Sequence, residues 1–485
     1  MKNLFIKSLL CLAVVFLPMM ASAQTDTYED YRKKLLGDYS QFRKSVLDGY
    51  ADYLSGIWSE YQAFKGEKRD VRPKPVTPPD VDTTPPVPPF DDEPIIVVPD
   101  DTPQPAPVHP LPTPPTPPAP PAPAPDDNTY CTFYGLKVKI PRLKCLPVNS
   151  LEGDDVADAW RTYTKNNTQQ QVAQLLSTAQ ALQLNDWFTF ELARETVLQQ
   201  CTANSSLEHT VLLHFIAANM GYDVRLAKCD DTPVLLLPFT TTIYERSYIN
   251  IDDIKYYIYP IGGSDLSGIH SLYTCDLPKN IDLGRVINPS INTMLMGSGH
   301  KRQCTLVWKD IEVTAEVDEG TMEMVRRYPQ MEIPLYAMST LNSQLRKSVL
   351  EQLRPHIDGL SKTEAANKLL HFVQHCFRYA TDDEQHGYEK TYFFEENFYY
   401  PKNDCEDRAV FYAYLVRHLI GLDVHLIYFP GHECTAVCFN TDEVRGTGYR
   451  YDGRTYMICD PTYIGADIGM CMPQYRDVEP TIQKW

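Results

Sequence analysis

The residue with the most evident reactive chemistry is Cys405, which stands just before a mostly apolar stretch of the chain. That stretch runs from Val410 to Ile420 and is closed by Gly421. The pattern predicts a buried helix with Cys405 in its first turn and with Asp404 or Asn403 as the N-cap. Unpaired backbone N–H groups and the positive end of the helix dipole favour a thiolate at this place. The sequence therefore predicts a nucleophile at the start of a helix.

A basic partner is needed because Glu406 and Asp407 oppose the negative charge of a thiolate. His432 is the candidate, since it lies at the start of a predicted strand, and a later predicted strand ends just before Asp460. His432 lies fourteen residues before Gly446 and Asp460 fourteen residues after it. If the turn between the two strands centres near Gly446, then the two residues face each other across the ladder. Asp460 would orient the imidazole while the histidine takes the thiol proton.

Three segments, in this order, resemble the bacterial transglutaminase-like superfamily: Asn403–Arg408, Gly431–Val437 and Cys459–Tyr463. The close similarity covers about residues 331–473. The resemblance implies a papain-related α+β core, in which the helix that carries the cysteine packs on an antiparallel sheet. It also implies a triad in which Cys405 is the nucleophile, His432 the general base and then acid, and Asp460 the residue that orients the histidine.

The same resemblance implies an enzyme that acts on amide bonds of peptides or proteins through an acyl-enzyme. Members of the superfamily include protein cross-linking enzymes, and many bacterial members are thought to be proteases or amidases. The sequence does not choose between hydrolysis and amine transfer, because both outcomes share the acyl-enzyme step. The alternative is a catalytically inert envelope scaffold or binding module, since some members of such folds are inert.

No cofactor or metal ion is expected at this site. His371 and His375 have the i, i+4 spacing of a metal-binding pair, but Phe372 stands where a zinc protease needs glutamate. The sequence offers no evident third ligand, so the two histidines are predicted to be polar residues on a helix flank.

Two further features surround the predicted triad. The segment Thr381–Tyr400 is rich in acidic and aromatic residues and is predicted to line the cleft near the cysteine. Cys434 and Cys438 follow the candidate histidine closely and leave open whether the site is controlled by redox chemistry.

A weaker copy of the helix and strand pattern precedes this region by 200 residues, without a gap. Gly221–Leu226 matches Gly421–Leu426, although only nine of the 60 positions from 201 to 260 are identical, so common ancestry is a hypothesis. At the triad positions the copy has Ser205, Thr232 and Pro260. Proline cannot orient an imidazole, so Ser205 is predicted to be a helix cap and the copy to be structural or substrate-binding.

The N-terminal part of the chain is defined by composition. Residues 1–23 combine a basic start, a short apolar run and Ala21-Ser22-Ala23, which predicts a signal peptide and a periplasmic or secreted protein. No later stretch is apolar enough to predict a transmembrane span. Residues 28–64 repeat every eleven with aromatic residues on one helical face, which predicts docking on the rest of the chain, self-association or contact with an envelope partner.

Six segments follow from these patterns, and the predicted fold class is α+β. They are a signal peptide (1–23), a helical arm (24–70), a Pro-rich disordered linker (71–127), a degenerate transglutaminase-like domain (128–270), a β-strand segment (271–330) and a transglutaminase-like catalytic domain (331–485). The linker holds 23 of the 39 prolines and is predicted to be an extended spacer. The β-strand segment is predicted from the alternation of apolar and polar residues in Ile311–Val317.

The charge balance limits the class of partner. The chain has 63 acidic and 45 basic residues, a net charge of −18, and no basic cluster, which argues against nucleic-acid binding. The expected partner is therefore a peptide or protein substrate.

Overall fold

The computed structural model describes most of the chain from residue 128 onward and short pieces before it. The described residues are 59–60, 68–72, 74, 96–97, 128–262, 271–274, 284–292, 300–326, 328–439 and 444–483. The predicted signal peptide and the eleven-residue repeat, apart from residues 59–60, lie outside these ranges. The described part is α+β, as the sequence predicts.

The strands are β1 (Ser59–Glu60), β2 (Lys68–Arg69), β3 (Ile96–Val97), β4 (Asn128–Phe133), β5 (Leu136–Pro141), β6 (Arg225–Cys229), β7 (Thr232–Pro238), β8 (Ser247–Ile251), β9 (Ile254–Tyr259), β10 (Leu272–Thr274), β11 (Lys301–Trp308), β12 (Ile311–Asp318), β13 (Arg378–Tyr379), β14 (Lys402–Asn403), β15 (Asp423–Phe429), β16 (His432–Cys438), β17 (Gly448–Tyr451), β18 (Arg454–Cys459) and β19 (Thr481–Gln483).

The helices are α1 (Gly153–Lys165), α2 (Thr168–Ala181), α3 (Asp186–Gln200), α4 (Ser206–Asn219), α5 (Glu319–Arg326), α6 (Ile333–Met338), α7 (Ser343–Ile357), α8 (Lys362–Cys376), α9 (Asp382–Gln385), α10 (Glu396–Tyr399) and α11 (Cys405–Leu415). A π-helical turn, Val416–Ile420, continues α11, and a 3-10 turn spans Pro473–Tyr475.

The first sheet has the strand order β1-β10-β6-β7-β9-β8-β2, and neighbouring strands are antiparallel. Helix α4 packs against β6 and β7. Ser205 is its N-cap and forms a capping box with Glu208, which confirms the predicted role of Ser205 as a helix cap. The helix ends before Gly221, whose φ of +94° belongs to the left-handed region that glycine adopts without strain.

The second sheet has the order β19-β15-β16-β18-β17-β3, antiparallel except for the pairing of β17 with β3. Helix α11 packs against β15 and β16, and every one of its residues is buried. Its π-helical extension ends at Gly421, with a φ of +70°. The predicted helix with Cys405 in its first turn is therefore confirmed.

The two sheets pair in the same register at the offset of 200 residues. The pairs Arg225↔Leu236, Leu235↔Tyr259 and Tyr248↔Tyr257 of the first sheet correspond to His425↔Ala436, Thr435↔Cys459 and Gly448↔Met457 of the second. Equivalent hydrogen bonds join Tyr256 Oη to Asp223 Oδ2 (2.7 Å) and Tyr456 Oη to Asp423 Oδ2 (2.8 Å). The same framework is thus built twice.

The described strands of the predicted β-strand segment, 271–330, belong to two different structures. Strand β10 belongs to the first sheet, whereas β11 and β12 form a separate antiparallel hairpin. The hairpin packs on α7, where the Gln352 side chain hydrogen-bonds the backbone N–H (2.9 Å) and C=O (2.8 Å) of Thr314. A two-stranded hairpin is marginal by itself, so it depends on this helix.

The described pieces before residue 128 lie on the sheet edges. Strands β1 and β2 pair with the two outer strands of the first sheet, and β3 pairs with the outer strand of the second. Strands β1 and β2 belong to the predicted helical arm and β3 to the predicted spacer, so these described positions are strands instead of helix or extended linker. Edge strands offer unpaired N–H and C=O groups, which explains why such short pieces dock there. Among the described residues, no helix combines the length and apolar character needed to cross a bilayer.

Candidate active site

Cys405 is the first residue of α11, and its side chain is 2% exposed. Asp404 is the N-cap, and its backbone N–H donates to the Asp407 carboxylate over 3.5 Å. The backbone N–H of Glu433 donates to Cys405 Sγ over 3.4 Å. The sulfur therefore meets the positive end of a buried helix and a backbone donor from β16, both of which stabilise negative charge on it.

His432 begins β16, and its imidazole is held on two sides. His432 Nε2 and Asp460 Oδ2 are 2.8 Å apart. The imidazole also stacks on the ring of Tyr475, with the ring centroids 5.4 Å apart and an angle of 8° between the ring planes. Asp460 Oδ1 accepts the backbone N–H groups of Thr462 (2.9 Å) and Tyr463 (3.2 Å). The carboxylate is thus oriented by the chain that follows β18, and it engages Nε2, leaving Nδ1 as the nitrogen that can exchange a proton with a thiol.

Cys405 and His432 line one cavity of about 430 Å³. We call the described residues of 128–262 the first half of the protein and those of 331–483 the second half. The other described lining residues come from the chain before residue 128, the first half, α6 and its N-cap, α11, β15, β16 with the turn before it, and β19: Arg72, Tyr244, Glu332, Ile333, Pro334, Leu335, Met338, Glu406, Tyr428, Gly431, Glu433, Thr481 and Gln483. The structure thus brings the three predicted site residues together around one opening, two of them in the cavity wall and Asp460 behind the histidine.

The predicted register between His432 and Asp460 is wrong by two residues. The observed ladder pairs Thr435 with Cys459, so its continuation sets Cys434, not His432, opposite Asp460. An additional strand, β17, lies between β16 and β18 in the chain, and its tight turn to β18 is at Asp452–Gly453 rather than near Gly446. His432 still reaches Asp460 because diagonal neighbours on one face of a sheet remain within reach of long side chains.

The charges near the cysteine favour the thiol. Cys405 Sγ–H donates to Glu406 Oε2 over 3.3 Å. Burial, followed by the charges of Glu406 and Asp404, raises the pKa of Cys405, while the Glu433 N–H lowers it. Burial and these carboxylates thus oppose the thiolate, so a nucleophile at this place needs a base that takes its proton.

A group of buried carboxyl groups lies behind the helix start. Burial and the neighbouring charges of Glu406 and Asp407 raise the pKa of Asp382 to about 10, and burial and Glu406 raise that of Glu389 to about 7. Carboxyl groups at such spacing share protons or a cation. Within the part of the chain that the structure describes, three sets of residues have possible ligand atoms within 4.8 Å of one another: Asp382, Glu389 and Glu406; Asp382, Asp404 and Asp407; and His432, Cys434 and Asp460.

The segment Thr381–Tyr400 supports the helix start from behind instead of lining the cavity. None of its residues is among the described lining residues. Its Tyr392 N–H donates to Asp407 Oδ1 over 2.7 Å, and Lys390 Nζ lies 2.6 Å from Glu396 Oε1, with both side chains fully buried. Aromatic and acidic composition was a signal for burial and pairing here, not for contact with a ligand.

The two other sequence features near the site have structural roles. His371 Nε2 lies 2.7 Å from Asp467 Oδ1, and both His371 and His375 stack on Trp308. Cys434 and Cys438 are each 1% exposed, and burial raises the pKa of Cys434. Neither pair shares the cavity with the candidate nucleophile.

Sequence reasoning missed Arg72, which lines the cavity although it lies in the segment predicted to be a disordered linker. It stands among prolines and carries no local pattern that separates it from the surface cations of a spacer. Tyr475 was missed as well, because the stacking of its ring on His432 depends on how the last residues fold back over the second sheet.

Compared with protein-family models and with curated proteins, the sequence matches none of them. The geometry of Cys405, His432 and Asp460 is therefore the ground on which a function is inferred.

Proposed function

We propose that the chain is an exported cysteine-nucleophile enzyme of the transglutaminase-like class, which acts on amide bonds of peptides or proteins through an acyl-enzyme. One observation carries the proposal: Cys405, at a helix N-terminus, and His432, held by Asp460 over 2.8 Å, line the same cavity. Helix α11 on the sheet β15-β16-β18-β17 is the arrangement expected of a papain-related core.

The reaction starts with proton transfer from Cys405 Sγ to His432 Nδ1. The thiolate adds to the amide carbonyl, and the oxyanion faces the backbone N–H groups at the start of α11. When the C–N bond breaks, His432 gives its proton to the departing amine, and a thioester to Cys405 remains. Asp460 keeps the imidazole in one tautomer and stabilises its cation in both steps.

The second step releases the acyl group to whichever nucleophile reaches the thioester. Water gives hydrolysis, as in a protease or amidase, and a primary amine gives acyl transfer and cross-linking. His432 serves as the base for either nucleophile, so the proposal covers both products.

An inert scaffold or binding module is the second candidate, and a specific observation favours it. Burial and the charges of Glu406 and Asp404 raise the pKa of Cys405, which opposes a reactive thiolate. Under this alternative the cavity binds a ligand without turnover.

Alkylation of Cys405 distinguishes the two candidates. The full chain is treated with iodoacetamide at pH 7, and trypsin then releases the hexapeptide Asn403–Arg408, which contains a single cysteine. The enzyme proposal predicts faster labelling of this peptide in the folded chain than in urea, and a slower rate in His432→Ala. A rate in the folded chain that is no faster than in urea, and that His432→Ala does not change, favours the scaffold.

The type of reaction is tested with a casein-like protein and a fluorescent primary amine. Dye that is incorporated by the wild type and not by Cys405→Ala indicates acyl transfer, and new fragments with the same dependence indicate hydrolysis. The absence of both products across a profile of protein substrates would contradict an amide-directed enzyme.

A further inference from the structure

A short segment that precedes the first half of the protein reaches the cavity of the second half. We name residues 68–72 and 74 the N-terminal strap. Its β2 extends the first sheet by pairing with β8, and Arg72, only 3% exposed, lines the cavity that contains Cys405. The strap therefore connects two regions that are far apart in sequence.

The start of the N-terminal strap is attached to the first half. The Glu245 N–H donates to the Asp70 carbonyl oxygen over 2.8 Å. Lys255 Nζ lies 2.5 Å from Asp70 Oδ2, and both side chains are partly buried. Backbone pairing and a partly shielded ion pair thus hold the same residue in place.

The end of the N-terminal strap is attached to the second half. The Arg72 guanidinium donates to Thr391 Oγ1 and to the Met331 carbonyl oxygen. It also lies over the rings of Tyr244, 5.1 Å from the centroid, and Tyr336, 5.8 Å from the centroid. Because Tyr244 belongs to the first half and Tyr336 to α6, one buried cation is held by both halves.

Arg72 is also the counter-charge to the acids around the nucleophile. Among the described lining residues it is the only arginine or lysine, against Glu332, Glu406 and Glu433. Burial and Glu406 raise the pKa of Glu433, whereas Arg72 lowers it. The Arg72 charge also acts on Asp382 and Glu389 behind the helix start.

The connection to the reaction runs through Glu406. Its carboxylate accepts the Cys405 Sγ–H hydrogen bond, and its charge opposes the thiolate. A cation that attracts Glu406 and Glu433 reduces the repulsion that a thiolate meets when His432 removes the proton.

We propose that the N-terminal strap completes the catalytic site, and that Arg72 is a positioning residue whose positive charge balances Glu406 and Glu433 so that Cys405 can form its thiolate. This inference rests on the proposed function. Under the same proposal the strap also joins the two halves, and the cavity forms in full only when it does so.

Two substitutions in the full chain separate charge from shape. Arg72→Lys keeps the charge and loses the planar fork, whereas Arg72→Gln keeps a hydrogen-bond donor and loses the charge. Arg69→Gln is the matched control, since Arg69 lies in the same strap and its ion pair with Glu245, at 3.7 Å, is exposed. The readout is the labelling rate of the peptide Asn403–Arg408 by iodoacetamide at pH 7, together with a thermal melt of each variant.

We expect Arg72→Gln to lower the labelling rate by about tenfold, which corresponds to a loss of about one pKa unit of thiolate stabilisation. The labelling rate of Arg72→Lys should stay within about threefold of the wild-type rate, and the rate of Arg69→Gln should equal the wild-type rate. A variant that melts early is compared at a temperature where all variants are folded.

Equal rates in Arg72→Lys, Arg72→Gln and the wild type would overturn the role of Arg72. An equal loss in both Arg72 variants would overturn the role of its charge and leave only a structural link. A wild-type Cys405 that reacts no faster than in urea would remove the nucleophile itself, which contradicts the proposed function and is distinct from either result.

Discussion

The sheet of β6 to β9 and the sheet of β15 to β18 pair in the same register, 200 residues apart, yet only the second presents a Cys-His-Asp constellation. The buried positions on one face of the first sheet, among them Val234, Tyr256 and Ile258, recur as Cys434, Tyr456 and Ile458. Packing thus preserves the framework, while the chemistry depends on three side chains: Cys405, His432 and Asp460 in one half, and Ser205, Thr232 and Pro260 in the other.

The segment of chain that leads into each of the two equivalent helices, α4 and α11, differs as well. In the first half α3 ends at Gln200, a few residues before Ser205. In the second half α8 ends at Cys376, and residues 377–404 intervene before Cys405. This longer segment supplies the buried acids behind the nucleophile and the hydroxyl that accepts from Arg72. A reactive thiol in this framework therefore needs its own surroundings, not only its own three residues.

The largest expected effect comes from replacing His432 of the second half by threonine, the residue at the equivalent position 232 of the first half. His432→Thr removes the proposed general base, which is the only histidine among the described residues of the cavity wall. Amide turnover should therefore fall roughly a hundred- to ten-thousandfold. The measurement is the turnover of a substrate found by the profiling assay, at matched enzyme concentration.

The reverse exchange is the matched control. Ser205→Cys gives the first half a thiol at the equivalent helix start, but Thr232 and Pro260 supply neither a base nor a residue to orient one. The new thiol should react at the rate of an ordinary cysteine, and the lost cap should cost about 1 kcal/mol of folding stability. A reactive thiol at position 205 would show that the framework alone activates it.

A smaller expected effect concerns the loss of folding stability at low pH. The first half should contribute to this loss through a buried histidine, for which the second half has no equivalent. His214 is fully buried in α4, its Nε2–H donates to the Val224 carbonyl over 3.2 Å, and burial lowers its pKa to about 3. Above pH 6.5 the imidazole is neutral in both the folded and unfolded chain. As the pH falls from 6.5 toward 3, the unfolded chain binds a proton that the folded chain does not, so stability falls by about 1.4 kcal/mol for each pH unit.

The variant His214→Gln checks this slope, because glutamine can keep the hydrogen bond and does not titrate. Urea unfolding at pH 7 and pH 5 should show a loss of stability that is about 2 kcal/mol smaller in the variant than in the wild type. The equivalent position of the second half is Tyr414, which stays neutral over this range. Equal losses in the two proteins would contradict a buried, neutral His214.

The smallest expected effect tests the shared framework. Gly221 and Gly421 end equivalent helices with φ of +94° and +70°, and a Cβ added at either would meet nothing within 4 Å. Alanine at either position should therefore cost about 1 kcal/mol, from backbone conformation alone. Urea unfolding of the two variants should give similar losses, and a cost confined to one of them would mean that the two helix ends are not equivalent.

Local pattern was sufficient to predict the elements of the site. The helix that begins at Cys405, the strands that follow it and the cap at Ser205 depend on short-range signals, namely apolar runs, a capping residue and a closing glycine. These signals act within a few residues, so they can be identified without knowing what packs against them.

Register and long-range contacts could not be predicted in the same way. The position of Asp460 depends on β17 and on the turn at Asp452–Gly453, which together move the ladder by two residues from the predicted one. Arg72 lies in a stretch rich in proline, and only the pairing of β2 with β8 brings it to Thr391. Contacts between residues so far apart in the chain have no local signal.

The sequence by itself determined which residues could react and on which elements they lie, since a cysteine before a buried helix and a histidine at the start of a strand depend only on neighbouring residues. Only the tertiary structure decided that His432 meets Asp460 diagonally across two strands, and that His432 and Cys405 line one cavity together with Arg72. The physical reason is that charge balance and proton transfer depend on distances of a few ångströms, which are set when the sheets, the helix and the N-terminal strap pack together.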